Sequence, residues 1–305
     1  MRWLKYAVSI AAVVLLGIGG SYFIFQEEDN LIEIKKNVFD PGSKKAYLLS
    51  VEGEVTDLSN TFEVKKDDGT IITNNREGII SFQNTESVKR TIEQQTLYVP
   101  KGGEYELLLS DGSTVYLNSE TQLIFPSSFE GETRQVELSG EAYFKVKKDA
   151  KPFIIKTSGL AIEVLGTSFN VNAYKSNSFI NATLVEGSIQ IRLPDNPEAI
   201  LLKPENNLSL DKTTQELSIH NVNTNIYTAW VKGEFVFRNQ SLRDIFSQLE
   251  RWYDFVIIYR NPDIENMRFT GSAEKAKPLD FLLNQIQTVT DIKYKNEGDK
   301  IILYR

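Results

Sequence analysis

The sequence contains no cysteine, and this absence excludes disulfide bonds, thiol catalysis and thiolate metal ligands. Its only histidine, His220, leaves little for histidine-based catalysis or for a zinc site. Lysine and arginine number 34 against 41 acidic residues, so the net charge is −7, and no basic stripe compensates for it. We therefore expect no nucleic-acid partner, no metal ion and no cofactor.

The 305 residues, of which 41% are hydrophobic, are enough for two modest domains with ordinary cores. Acidic residues are so numerous that chance pairs of carboxylates are common, and no pair is singled out by its position. An anchored hydrolase that depends on two carboxylates needs a fixed acid pair in a cleft, which a sequence cannot display. That alternative stays open at this point.

The segment from Ala7 to Phe25 is uncharged and mostly apolar, and it has about the length that a helix needs to cross a bilayer. Two cationic residues precede it and three acidic residues follow it, so the N-terminus should remain cytoplasmic. We predict a short tail and a transmembrane helix over residues 1–25, with the bulk of the chain on the other side. A polar linker over residues 26–40 follows.

A cleaved signal peptide is the alternative for this segment. Small residues occur at Gly17-Ile18-Gly19-Gly20-Ser21, as a cleavage site requires. However, the apolar run continues through Tyr22–Phe25, and no A-x-A site ends it. The sequence therefore favours an uncleaved single-pass anchor.

Residues 41–226 alternate between apolar and polar positions in short runs separated by turn dipeptides. Asp68-Gly69 and Asp111-Gly112 each lie between two such runs, which is typical of a β-hairpin. One pattern recurs at a fixed offset, since Pro41, Leu48, Leu49, Gly53 and Leu58 align without gaps onto Pro100, Leu107, Leu108, Gly112 and Leu117. We predict a mainly β chain whose first domain is an all-β roll or solenoid-like body.

Residues 227–305 show a different spacing of apolar residues. Ser241-Leu242-Arg243-Asp244 is typical of a capping box, and apolar residues follow it at helical spacing. Pro278 begins a second helical pattern, and short strand-like runs flank both helices. The predicted order is β-α-β-β-α-β-β, a small α+β domain with both helices on one face of a sheet.

Several ordered motifs resemble the periplasmic core of FecR-family regulators, the transmembrane partners of extracytoplasmic-function sigma factors. They are Pro100-Lys101-Gly102-Gly103-Glu104-Tyr105, Leu107–Gly112, Val115–Ser119, Arg134–Phe144, Pro152-Phe153 and Val164–Val171. The run Arg251-Trp252-Tyr253, together with the upstream residues Trp230, Lys232 and Gly233, is similar to the C-terminal domain of such proteins. That domain is similar in topology to the signalling domain of TonB-dependent receptors and secretins. The resemblance covers residues 100–305 well and 41–99 loosely.

The resemblance implies a signal transducer of the inner membrane that makes no product. The signal would come from the periplasmic signalling domain of an outer-membrane TonB-dependent receptor and pass toward an extracytoplasmic-function sigma factor. We expect the last strand, Ile301-Ile302-Leu303-Tyr304, to leave a sheet edge open, to which a partner strand can add.

One feature departs from the family pattern. FecR regulators usually carry a cytoplasmic segment of several tens of residues that holds the sigma factor, whereas only Met1 to Tyr6 precede the predicted span. Direct contact with the sigma factor is therefore expected only if a further segment lies upstream. The alternative is a sensor that works with a separate cytoplasmic protein.

Gly166-Thr167 is the one candidate for covalent chemistry. A threonine hydroxyl can attack the carbonyl of the preceding residue and convert the amide to an ester, and some FecR-family members are cut within a Gly-Thr pair in this setting. The simpler interpretation is a glycine at a strand bend, followed by a threonine that favours a strand. The sequence allows at most a single-turnover self-cleavage at this pair.

Two further sets of residues have a structural and a functional interpretation. Trp252, Tyr253 and Phe246 lie at helical spacing, so we interpret them as core, although a ligand platform is the alternative. Polar residues embedded in the family motifs, Asn118, Glu141 and Asn170, either contact a partner or satisfy backbone groups in turns. A membrane-anchored periplasmic glycan-binding protein is the alternative function, although the sequence shows no obvious exposed row of aromatic residues.

Overall fold

The computed structural model describes residues 39–50, 53–65, 70–75, 79–84, 92–194 and 196–305. The predicted anchor and most of the predicted linker lie outside these residues. The described residues are mainly β, as the sequence predicts. None of the helices in this part of the chain is long and apolar enough to span a bilayer.

The first domain, called the β body below, contains nineteen strands among the described residues. They are β1 (Ser43–Lys44), β2 (Tyr47–Ser50), β3 (Val55–Asp57), β4 (Phe62–Lys65), β5 (Thr70–Asn74), β6 (Ile79–Asn84), β7 (Gln94–Val99), β8 (Gly103–Leu108), β9 (Thr114–Leu117), β10 (Thr121–Pro126), β11 (Arg134–Lys145), β12 (Phe153–Lys156), β13 (Ala161–Val164), β14 (Ser168–Ala173), β15 (Phe179–Glu186), β16 (Ile189–Leu193), β17 (Asn196–Leu202), β18 (Asn206–Asp211) and β19 (Leu217–Asn221).

Apart from β1, which pairs with β8, these strands form two layers around one apolar core. The first layer has the order β3-β2-β7-β10-β11-β12-β13-β16-β17. The second has the order β4-β5-β6-β8-β9-β11-β14-β15-β18-β19. From β12 onward, consecutive hairpins alternate between the layers, so each hairpin covers the one before it. Inward-facing residues of both layers make up a single hydrophobic cluster.

Strand β11 belongs to both layers and changes from one to the other at Gly140. Residues before Gly140 pair with β10 and β12, whereas residues from Gly140 onward pair with β9 and β14. Gly140 has φ +120°, and a Cβ atom at this position would lie 2.6 Å from the Cα atom of Thr121. Only glycine fits both the backbone angle and the close approach of the neighbouring strand.

The second domain, called the C-terminal domain below, follows a helical connection made of α1 (Asn225–Thr228) and a 3₁₀ turn (Ala229–Lys232). Its elements are β20 (Glu234–Ser241), α2 (Leu242–Tyr253), β21 (Val256–Tyr259), a 3₁₀ turn (Pro262–Asn266), β22 (Arg268–Glu274), α3 (Leu279–Val289), β23 (Lys293–Glu297) and β24 (Lys300–Tyr304). The order of helices and strands is the predicted β-α-β-β-α-β-β. Ser241 caps α2 at the predicted position, because its hydroxyl oxygen accepts the Asp244 N–H at 3.2 Å.

Two expectations for the C-terminal domain are wrong. Its strands form two sheets, β20–β22 and β21–β24–β23, and not a single sheet. Ile301-Ile302-Leu303-Tyr304 is also not an edge strand, since β24 pairs in parallel with β21 on one side and antiparallel with β23 on the other. The parallel partner, β21, is separated from β24 by a helix and two strands, so no local pattern reveals this pairing.

Replacement of Gly140 by alanine is expected to destabilise the β body by about 3 kcal/mol, because the substitution adds a clash with Thr121 to an unfavourable backbone angle. Gly131→Ala is the matched control, since Gly131 has φ +70° but a Cβ atom there would meet no other part of the chain within 4 Å. We expect the control to cost about 1 kcal/mol. Urea unfolding followed by circular dichroism measures both, and equal losses would contradict the account of Gly140.

Candidate functional site

Glu141 lies where the two domains meet, and it brings together the polar residues of the sequence motifs. Its carboxylate accepts hydrogen bonds from the Nδ2 groups of Asn118, at 2.8 Å, and Asn170, at 3.0 Å. The Oδ1 atom of Asn170 accepts the indole N–H of Trp230 at 3.1 Å. Because Trp230 lies shortly before β20, this chain of hydrogen bonds links β11, β14 and the residue that follows β9 to the start of the C-terminal domain.

Lys275 is a buried cation at the same junction. Only 3% of its side chain is exposed, and its ammonium group lies 2.6 Å from a carboxylate oxygen of Glu104 on β8. The ammonium group also lies 3.7 Å from the ring centroid of Trp252 and 5.7 Å from that of Trp230. Burial lowers the pKa of Lys275, whereas the charge of Glu104 acts in the opposite direction.

Arg251 is a second cation that α2 directs onto the β body. Its guanidinium group stacks over the ring of Tyr174 at 3.9 Å, and it donates to the Asn177 side chain at 2.8 Å and the Ser176 hydroxyl at 3.1 Å. A carboxylate oxygen of Glu120 lies 3.4 Å from its Nε atom, which is an ionic contact and not a well-formed hydrogen bond.

Tyr174 gives Arg251 a rigid surface to stack on. The tyrosine is buried, and its hydroxyl donates to the Ser119 carbonyl at 2.7 Å. Burial raises the pKa of Tyr174, so the ring stays neutral at physiological pH. The last turn of α2 thus contributes the arginine of the Arg-Trp-Tyr run to the junction, together with Trp252.

The chain matches two protein families in the order in which its domains occur. The family described as FecR protein matches residues 95–190, and the family described as FecR, C-terminal matches residues 234–303, which together are more than half of the chain. This protein belongs to the FecR family. The junction residues of the β body lie within the first match or close to it, and Arg251, Trp252 and Lys275 lie within the second.

Solved structures resemble the FecR chain over about two thirds of its length. Two crystal structures of a proposed anti-sigma factor from Parabacteroides distasonis ATCC 8503, at 1.65 and 2.50 Å resolution, are 31% and 30% identical to it, each with a TM-score of 0.64. The similarity covers 69% and 70% of this chain and 98% and 99% of those chains. A search of the curated proteins found no match.

The aromatic residues considered as a ligand platform are core residues of the FecR C-terminal domain. Trp252, Tyr253 and Phe246 are all buried, so the interpretation of these residues as core is confirmed. The polar atoms of the first two are satisfied internally, since Trp252 Nε1 donates to the carbonyl of Lys275 at 3.0 Å and the Tyr253 hydroxyl to that of Lys277 at 2.7 Å.

Gly166 and Thr167 lie in the turn that leads from β13 to β14. Thr167 is buried, and its hydroxyl donates to the Ser188 carbonyl at 3.0 Å. At Gly166 the loop 146–151 passes so closely that a Cβ atom would lie 2.6 Å from the Cα atom of Lys148. This close approach explains the glycine without any chemistry.

The loop that covers Gly166 is itself held in place by a buried ion pair. Arg134 donates to the carbonyl of Lys147 at 3.0 Å, to that of Lys151 at 2.8 Å, and to a carboxylate oxygen of Asp111 at 2.6 Å. Only 2% of the Arg134 side chain is exposed, so these bonds fix the loop against the sheet. The Gly166-Thr167 turn is consequently one of the tightly packed parts of the β body.

Among the residues that the structure describes, no group of three or more histidine, aspartate or glutamate side chains is placed to hold a metal ion. A shallow groove of about 290 Å³ lies on the β20–β22 sheet, beside α1. Its lining includes Ile226, Val236 and Thr270.

Asn118, Glu141 and Asn170 are recognisable from the sequence as candidate site residues. Lys275 is not, because its sequence neighbours give no signal that it is buried.

Removal of the Lys275 charge is expected to change how stability depends on pH. The pKa of Lys275 in the folded protein lies below its ordinary value near 10.5, so the unfolded chain binds more protons between the two values. Stability therefore rises with pH across that window, and Lys275→Met abolishes this contribution. We expect the free energy of unfolding of the native protein, minus that of Lys275→Met, to increase as the pH rises toward 10.5, the ordinary pKa of lysine.

Buried tyrosines such as Tyr174, whose pKa is raised, retain protons that the unfolded chain loses above about pH 10, so their contribution to stability falls with pH there, equally in both proteins. Lys277→Met, which removes an exposed lysine of the same segment, is the control and should show no such difference. A difference for Lys275→Met that stays flat or falls with pH would contradict the assignment.

Proposed function

We propose that this FecR-family protein is an anti-sigma regulator that carries a signal across a membrane. The observation that carries the proposal is the presence of both FecR domains in order along the chain. Contacts between their side chains join the two domains. A relative of this architecture, 31% identical over nearly its whole length, is described as a proposed anti-sigma factor. The partner inferred for this chain is accordingly an extracytoplasmic-function sigma factor.

In more detail, we propose a single-pass protein of the inner membrane whose N-terminus is cytoplasmic and whose two domains are periplasmic. The apolar segment from Ala7 to Phe25 and the charges on its two sides support this topology. The signal arrives when the periplasmic signalling domain of a TonB-dependent outer-membrane receptor binds the C-terminal domain. The likeness of that domain to the receptor's own signalling domain supports this pairing.

Deletion of the gene, compared with complementation by the native chain, tests the regulator directly. We expect deletion to abolish the response of a sigma-dependent transcriptional reporter to the inducing signal, and complementation to restore it. A reporter that responds equally in the deletion strain would contradict the proposed function.

The receptor domain is proposed to bind the outer edge of β21. Among the three strands of this sheet β24 is interior, and β23 presents Lys293, Lys295 and Glu297 at its exposed positions, which oppose pairing with another strand. In contrast, Val256 and Ile258 on β21 are 43% and 38% exposed.

A strand that adds to this edge has to displace the carboxylate of Glu250, which accepts the Ile257 N–H at 2.8 Å.

Val256→Lys and Ile258→Lys should each weaken binding of the isolated receptor signalling domain to the full chain by at least about tenfold, because each places a charge in an apolar contact. Ile219→Lys is the matched control, since Ile219 is 41% exposed on β19 of the β body. Biolayer interferometry on the detergent-solubilised protein measures all three. Equal affinities for the three variants and the native chain would rule out the β21 edge.

We also propose a test of self-cleavage at Gly166-Thr167. In this reaction the Thr167 hydroxyl attacks the Gly166 carbonyl carbon, the amide becomes an ester with a free Thr167 amine, and water hydrolyses the ester. The hydroxyl must first leave its hydrogen bond to Ser188. Thr167→Ala should abolish the two fragments in intact-mass spectra, and Ser168→Ala should retain them. Fragments that persist in Thr167→Ala would show that a protease makes the cut.

A further inference from the structure

Residues 39–45, called the strap below, begin in the core of the C-terminal domain. Phe39 is buried there, with its ring centroid 5.7 Å from that of Phe255. The Phe39 carbonyl accepts the N–H of Leu279, the first residue of α3, at 3.2 Å. A residue near the start of the described chain is therefore part of a core that is otherwise built from residues 235–303.

The other end of the strap is part of the β body. Ser43 and Lys44 form β1, which pairs in parallel with the start of β8. The Ser43 N–H donates to the Gly102 carbonyl at 2.8 Å, and the Lys45 N–H donates to the Glu104 carbonyl at 3.3 Å. Each domain thus holds one end of the strap.

The middle of the strap is enclosed by both domains. A Cβ atom at Gly42 would lie 2.6 Å from the carbonyl oxygen of Gly102 and 2.6 Å from the ring of Trp252. The Gly102 N–H in turn donates to the carbonyl of Arg251 at 2.7 Å. Three segments therefore meet here, namely the strap, the turn before β8 and the end of α2.

We propose that the strap couples the docking of the C-terminal domain to the position of the chain that precedes residue 39. Phe39 and Ser43 are four residues apart, and four residues span at most about 14 Å when fully extended. The C-terminal domain therefore cannot move away from the β body by more than this without withdrawing Phe39 from its core or Ser43 from β8. Undocking and strap release are then one event.

Release of the strap has a mechanical consequence. It adds seven residues to the chain in front of the β body, which lengthen that chain by at most about 23–25 Å. The ion pair of Lys275 with Glu104 lies beside the strap, since Glu104 also accepts the Lys45 N–H through its carbonyl. The state of the junction is thereby communicated to the segment that precedes Phe39. The inference concerns this chain alone and holds whichever partner acts on the C-terminal domain.

Hydrogen exchange of the full chain with Glu104→Gln tests the coupling. This variant leaves the buried Lys275 without its nearest counter-charge, which should open the junction. Three amides report on the three contacts, namely Gly102 between the domains, Ser43 between strap and β body, and Leu279 between strap and C-terminal domain. We expect exchange at Gly102 and at one or both strap amides to rise together, by at least about tenfold.

Glu106→Gln is the matched control, because Glu106 lies two residues further along the same face of β8. It should leave all three amides as they are in the native protein. Faster exchange at Gly102, with the amides of Ser43 and Leu279 both unchanged, would overturn the coupling. No change at any of the three amides in Glu104→Gln would also overturn it.

Gly42→Val provides a second, independent variant that replaces no residue of either hydrophobic core. The valine side chain collides with the ring of Trp252, so the strap and the C-terminal domain cannot keep their contact. Trypsin cleavage after Lys44 or Lys45 reads out strap release, and we expect it to accelerate at least about tenfold relative to the native chain. Faster cleavage with unchanged exchange at Leu279 and at Gly102 would mean that the strap moves independently of domain docking.

Discussion

The burial of two cations of the C-terminal domain against the β body is the constraint on which the rest of the structure depends. Lys275 and Arg251 have lost most of their contact with water, and such burial is tolerable only where charges and aromatic faces replace the water. The β body supplies Glu104 to Lys275, and it supplies Tyr174 and Glu120 to Arg251. The domains therefore fit together in the one arrangement in which each buried cation meets its partners on the β body.

Strand β11 of the β body positions the hydrogen-bonded residues of this junction. Gly140 lets β11 change layers, and the very next residue, Glu141, holds the side chains of Asn118 and Asn170. The Glu141 N–H donates to the Thr121 hydroxyl at 2.9 Å, on the residue that lies closest to Gly140. The change of layer and the hydrogen-bonded centre of the junction are consequently formed by adjacent residues of one strand.

Local patterns in the sequence predict the local structure, and long-range pairings escape them. Spacing within a few residues predicts the N-cap at Ser241, the strand and helix order of the C-terminal domain and the buried side of α2. The role of Lys275 does not, because its partner Glu104 is 171 residues away. The interior position of β24 was missed for the same reason, since its parallel partner β21 lies beyond a helix and two strands. Asn118, Glu141 and Asn170 were recognisable only as polar residues within otherwise apolar motifs.

The central claim is that the FecR and FecR C-terminal domains behave as one cooperative unit. Pulsed hydrogen exchange at increasing urea concentrations, with peptides resolved by mass spectrometry, tests it most directly on the full chain. The account predicts that peptides from β14–β15 and peptides from α2 and α3 become labelled at the same midpoint, in a single transition. Complete labelling of α2 and α3 at a urea concentration where β14–β15 and the strap remain fully protected would contradict it.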